Sequence, residues 1–178
     1  MLRMNRFYVW MLSFVGLMTG ATCKGSLPVK IDNSTVSQLD VPRFMGKWYE
    51  IARYEHRFER GMTHVTAEYT LLDDGKIGVV NRGEKDNEPR EITGKARRPH
   101  PTQYPGRLEV SFFLWFYSDY YVLELSPDYE YAVIGSSSDK YLWILCRRPH
   151  MSQSTLEHIL DTLTQRGYDT SLLTFVSQ

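Results

Sequence analysis

Between residues 47 and 147 short β-type runs recur at regular intervals between turn signals, and that spacing restricts the fold more than any other feature of the chain. Eight runs stand out: 47–56, 64–72, 76–83, 89–98, 107–113, 119–126, 130–137 and 140–147. Asp73-Asp74-Gly75, Pro105-Gly106, Ser126-Pro127-Asp128 and Ser136-Ser137-Ser138-Asp139 separate several of them, and these residue types tolerate or enforce turns. Polarity alternates within the runs. Val65, Ala67, Tyr69 and Leu71 share one face of the second, against Thr66, Glu68 and Thr70 on the other. Ile77, Val79 and Asn81 line the third, and Leu108, Val110 and Phe112 the fifth. Period two with one apolar side predicts antiparallel strands with one buried face, arranged as an all-β barrel or sandwich. Eight strands closed on themselves leave room for one small ligand.

One segment departs from period two. Leu156, Ile159, Leu160 and Leu163 follow helical spacing between a capping Ser152 and a stop at Gly167. The amphipathic helix needs an apolar bed. The outward sides of the first and last strands, with Tyr49, Ile51, Leu142 and Ile144, are expected to supply it. Leu172 to Val176 reads as a short closing strand.

The first residues are expected to leave the mature protein. Arg3 and Arg6 precede the apolar run Phe7–Met18, and Gly20-Ala21-Thr22-Cys23 follows, so residues 1–22 read as a secretory signal. Residues 23–45 are a polar lead-in and 46–178 the folded unit. Without Arg3 and Arg6 the neutral chain becomes slightly acidic, at about −2, which gives no support to a nucleic-acid partner. The segment ending at Cys23 resembles a bacterial lipoprotein signal, whose cysteine becomes acylated. Plain secretion and a Cys23–Cys146 disulfide are the alternatives.

Three further segments resemble the lipocalin motifs, in order. Gly46-Lys47-Trp48 is similar to the G-x-W motif, and Asp128 and Tyr131 stand where the second motif has its Asp and Tyr, without its usual Thr. Tyr141-Leu142-Trp143-Ile144-Leu145-Cys146-Arg147 resembles the third motif and ends in its Arg. The resemblance covers about residues 39–177. It is nearest to the bacterial outer-membrane lipoprotein type and to apolipoprotein D. It implies an eight-stranded antiparallel up-and-down β-barrel with a C-terminal helix packed outside, and a floor where Arg147 lies across the Trp48 ring. Such a cation–π contact contributes about 0.5–2 kcal/mol.

Parity counted from Trp48 turns Glu50, Ala52 and Tyr54 inward; counted from Arg147 it does the same for Tyr141, Trp143 and Leu145. Buried Glu50 then needs a basic or hydrogen-bonding partner, or a ligand head group. In the sixth run alternation does not decide, and Glu124 is read as inward. The expected ligand lining is Ala52, Tyr54, Tyr69, Val79, Asn81, Leu108, Val110, Phe112, Tyr141, Trp143 and Leu145. At the open end Leu114-Trp115-Phe116-Tyr117 has three readings: a lid, a contact with a membrane or partner, or packing on a neighbouring loop.

Catalytic patterns are not found. His56, His64, His100, His150 and His158 lack metal-ligand spacing, and no nucleophile elbow or phosphate loop occurs. Cys146, the one candidate nucleophile, shares parity with Leu142 and Ile144 and so faces outward under the helix. The expectation is a cofactor-free carrier of a lipid or fatty acid in the cell envelope, reaching the membrane through acylated Cys23 and through Trp115 and Phe116. A homodimer is left open. The alternatives are an envelope structural or interaction protein with a side-chain-filled barrel, a tetrapyrrole binder and a lipid isomerase.

Overall fold

The computed structural model describes residues 30–57 and 59–178, so the expected signal and Cys23 lie outside the described residues. Strands β1 (Gly46–Tyr54), β2 (Thr63–Leu71), β3 (Ile77–Lys85), β4 (Glu88–Arg97), β5 (Arg107–Phe113), β6 (Phe116–Leu125), β7 (Tyr131–Gly135) and β8 (Leu142–Cys146) pair antiparallel in chain order. β1 pairs with both β8 and β2, which closes the barrel. Helix α2 (Gln153–Gln165) follows, capped by the Ser152 side chain, which accepts from the Thr155 N–H at 3.2 Å. Gly167 ends it at φ +84°. Strand β9 (Leu173–Phe175) then pairs with residues 52–54 of β1.

One short helix was not visible in the sequence. α1 (Val41–Phe44) sits in the lead-in, capped by Asp40 and started by Pro42. Val41 and Phe44 are buried against Trp48, so α1 closes the end where β1 begins. That end, the floor, also carries the loops at 72–76, 98–106 and 126–130. The opposite end, the mouth, carries those at 55–62, 86–87, 114–115 and 136–141.

Two separate apolar cores result. The inner one fills the barrel between Trp48 and the mouth, with Tyr69, Ile77, Val79, Leu108, Val122 and Leu145 among its members. The outer one lies between β1, β6, β7, β8 and α2, where Ile51, Leu142 and Ile144 meet Ile159 and Leu163. Cys146 belongs to the outer core, as its parity predicts. Tyr49, expected in the helix bed, is instead half-buried beside Lys47, whose Nζ stands 4.7 Å from its ring centroid.

Two β-bulges correct the parity count. In the β1–β8 pairing Glu50 faces Leu145 but Ala52 faces Ile144, so one residue of β1 is extra. Beyond that bulge every side chain changes sides. Ala52 and Tyr54 therefore join the outer core, and Arg53 turns inward with Trp143 as its cross-strand partner. In the β6–β7 pairing Val122 faces Ile134 and Glu124 faces Val133, a second bulge. It places Glu124 outside, accepting from the Tyr131 hydroxyl at 3.3 Å, and not inside as expected.

Candidate ligand-binding site

The floor is built from backbone carbonyls gathered by one guanidinium. Arg147 Nε donates to Tyr129 O at 3.2 Å, Nη1 to Lys47 O at 3.0 Å and Nη2 to Arg43 O at 2.7 Å. Its Cζ lies 3.8 Å from the Trp48 ring centroid, which is the expected contact. Gly46, at φ +90°, carries the chain past this group; a Cβ there would stand 3.4 Å from Arg147 Nη1. Trp48 Nε1 donates to Phe44 O at 2.9 Å, so the indole is satisfied while its ring seals the barrel. Asp128 stays in the floor turn, where it accepts from the Glu130 N–H at 3.3 Å. Trp48, Arg147 and Gly46 thus hold the closed end together.

Above the floor runs an apolar belt. Tyr69, Val79, Leu108 and Leu145 are buried in it, and Val110, Phe112 and Trp143 pack on it with partial exposure. The Phe112 ring lies across Gly94, where a Cβ would come within 2.6 Å of Cδ1. Asn81 pairs across the sheet with Ala67. Its Oδ1 is buried and meets no donor among the described residues. Tyr141 is exposed at the rim, where its ring stacks on Trp143 at 6.0 Å.

The mouth half contains what the sequence reading only partly anticipated. Glu50 has the basic partner it requires: Arg53 Nη1 donates to Glu50 Oε1 at 2.7 Å, with side chains 1% and 5% exposed. Arg53 Nη2 reaches Glu59 O at 2.6 Å. The Glu59 carboxylate accepts from Trp143 Nε1 at 3.1 Å and lies 2.8 Å from His56 Nε2. Below them the hydroxyls of Tyr69 and Tyr120 meet at 2.8 Å. His56 and Glu59 thus fold back over the mouth, whereas Leu114, Trp115 and Phe116 remain 56%, 72% and 65% exposed. That exposure shows them not packed on a neighbouring loop.

Electrostatics follow from this geometry. Burial first, and the Glu59 charge second, push Glu50 up to about 8 against the pull of Arg53. Burial acts upward on Glu59 as well, but hydrogen bonds from His56 and Trp143 outweigh it and hold Glu59 below the usual carboxylate range. Near neutral pH one carboxyl of the pair carries a proton and the other a charge. Burial also raises Tyr69 and Tyr120, which stay neutral donors. Arg53, His56, Glu59 and Tyr120 are site residues missing from the sequence-level lining. Glu50's need for a partner was the one signal pointing to them.

A closed antiparallel barrel with a sealed floor, an apolar belt and a polar group near the mouth defines a class, the calyx-type binding proteins. Residues 39–178 match the lipocalin-like domain family, and the chain belongs to the lipocalin family, whose members bind small hydrophobic ligands. It is 38% identical over 165 residues to outer membrane lipoprotein Blc of Vibrio cholerae, covering 91% of this chain and 96% of that one. It is 30% identical to apolipoprotein D of Mus musculus, covering 96% and 94%. Its fold superposes on insecticyanin from the tobacco hornworm with a TM-score of 0.68 at 23% identity, covering 83% and 85%. No helix among the described residues is long and apolar enough to cross a membrane.

Proposed function

We propose that the protein binds a fatty acid or lysophospholipid inside the barrel and stores or carries it in the cell envelope, tethered to the outer membrane by an acyl group on Cys23. The observation that carries this reading is the Glu50–Arg53 pair, buried above an apolar belt, with Arg53 also donating to the Glu59 backbone carbonyl. Withdrawing such charges from water costs several kcal/mol per ion, and an apolar filling of the same volume is often as stable or more so. A barrel that needed only to be filled gains nothing from it. A ligand with an acyl chain in the belt and an anionic end at Arg53 and protonated Glu50 gives the group a use. Asn81 Oδ1 is a further acceptor for a ligand hydroxyl.

The resemblance to Blc supports the tether and the envelope location. Membership of a family of binding proteins supports a binding role, and Cys146 lies in the outer core, away from the interior. Native mass spectrometry of protein purified from its own host tests the reading. A co-purifying single-chain lipid is the expected result; bare protein that also takes up no added fatty acid would leave the side-chain-filled barrel in its place.

A further inference from the structure

The hairpin joining β5 to β6 ends in four apolar residues in a row. Phe113, Leu114, Trp115 and Phe116 are 68%, 56%, 72% and 65% exposed. Their rings form one face: Phe113 and Phe116 stack at 6.4 Å and 12°, and Trp115 and Phe116 at 6.1 Å and 29°. Turn geometry does not demand this. The β3–β4 hairpin at the same end turns on Asp86 and Asn87, at φ 56° and 61°, as tight hairpins ordinarily do. Leu114 adopts the same left-handed backbone, φ 52°, with a residue that disfavours it. Exposed aromatic rings at this position therefore need an explanation outside the fold.

Position supplies one. The neighbouring turn lies level with residue 119, since the Ser137 N–H donates to the Asp119 carboxylate. From there the β5–β6 tip reaches about 10 Å further out, three residues at the usual strand rise. The described chain also starts at this end of the molecule. Asn33 Nδ2 donates to Ser136 O at the mouth end of β7, and only afterwards does the chain descend to α1 at the floor. Seven residue steps separate Lys30 from Cys23. Fully extended they span at most about 25 Å. A bilayer holding an acyl group on Cys23 thus lies within reach of the mouth, on the side where the aromatic tip projects.

We propose that the barrel sits mouth-down on the bilayer, with Phe113–Phe116 seated in the lipid interface beside the opening. The proposal rests on acylation of Cys23 for its tether. A lipid surface fits better than a protein partner, because a specific protein interface buries at least about 1,200 Å² and a four-residue tip offers far less. Trp and Phe at the rim suit the headgroup boundary, where an aromatic body meets lipid and an indole N–H meets water. Ligand then passes between bilayer and barrel without crossing bulk water.

Tryptophan quenching tests it, in vesicles of phosphatidylethanolamine and phosphatidylglycerol whose acyl chains are brominated near the headgroup. The acylated protein and the Cys23→Ser form are compared, each with and without Trp115→Ser. Trp48 and Trp143 are the other tryptophans after Cys23. Quenching of about a third of the emission, abolished by Trp115→Ser, is expected for the acylated protein, with Phe116→Ser weakening vesicle binding of the Cys23→Ser form about tenfold. Quenching in the acylated form alone also supports the orientation, since the tether then supplies the local concentration. Acylated protein anchored in the vesicles with Trp115 unquenched would overturn it, as would burial of Trp115 in a homodimer. Detergent partition of wild type against Cys23→Ser reports acylation separately, so failure of the tether and failure of the docking are told apart.

Discussion

Two apolar cores share the walls of this barrel, and they differ in what interrupts them. The outer core is continuous: Ile51, Val133, Leu142 and Ile144 meet Ile159 and Leu163, all nearly inaccessible. Its interior polar atoms are tyrosine hydroxyls: that of Tyr54 donates to Asp169 O, and that of Tyr168 is buried without a hydrogen-bond partner among the described residues. The inner core is just as apolar near Trp48 but gives way toward the mouth to Glu50, Arg53 and Glu59. One core fixes the helix to the barrel. The other buries the Arg53 cation beside Glu50 over an apolar belt, an arrangement that an entering ligand would use.

Stability and binding should therefore separate between the two. The largest effect is expected at the floor, where Trp48→Ala removes the seal and costs roughly 3–5 kcal/mol by denaturant unfolding. Ile159→Ala in the outer core should cost roughly 2–5 kcal/mol while leaving ligand affinity unchanged. If Ile159→Ala weakened binding as much as stability, the cores would not be independent. Adding bulk sharpens the contrast. Ala67 packs on the inner core and Ala52 lies in the outer one. Ala67→Phe and Ala52→Trp should each destabilise by about 1–3 kcal/mol, but only the first should weaken fatty-acid binding.

Smaller effects concern charge. Glu50 ionises near 4.5 when unfolded and near 8 when folded. The folded protein thus holds an extra proton between those values and loses stability as pH rises through that range. Glu59 has the opposite sign, its contribution fading as pH falls. Ionised Glu50 also neutralises Arg53 against an anionic ligand, so fatty-acid affinity should drop about tenfold between pH 6.5 and 9.5. Glu50→Gln should flatten both profiles; titration at several pH values checks this. Smallest is the floor contact, where a double-mutant cycle on Trp48 and Arg147 should give a coupling of about 1 kcal/mol.

Much of this was legible in the residues themselves. Short β-type runs between turn signals marked all eight strands, helical spacing with Ser152 and Gly167 marked α2, and Gly46-Lys47-Trp48 with Arg147 marked the floor. The bulges were not legible. Neither Glu50–Ala52 nor Val122–Glu124 contains a glycine or another local sign of an extra residue, because cross-strand pairing creates the bulge and a single strand does not show it. Each bulge reverses every side chain beyond it, which moved Ala52, Tyr54 and Glu124 outside and Arg53 inside. The fold-back of His56 and Glu59 was hidden for a related reason. Its contacts to Trp143 and Arg53 join distant parts of the chain, and nothing periodic announces them.

The central claim is that the inner core receives an acyl chain, and a titration of saturated fatty acids of increasing length against the Cys23→Ser form tests it most directly. Trp143, packed on the inner core and bonded to Glu59, serves as the reporter. Affinity is expected to rise with each methylene, by at most about 0.8 kcal/mol, up to a length at which it levels off, and Ala67→Phe should bring that limit to a shorter chain. Absence of binding at every length, or the same limit in wild type and Ala67→Phe, would contradict the claim and leave a barrel filled by its own side chains.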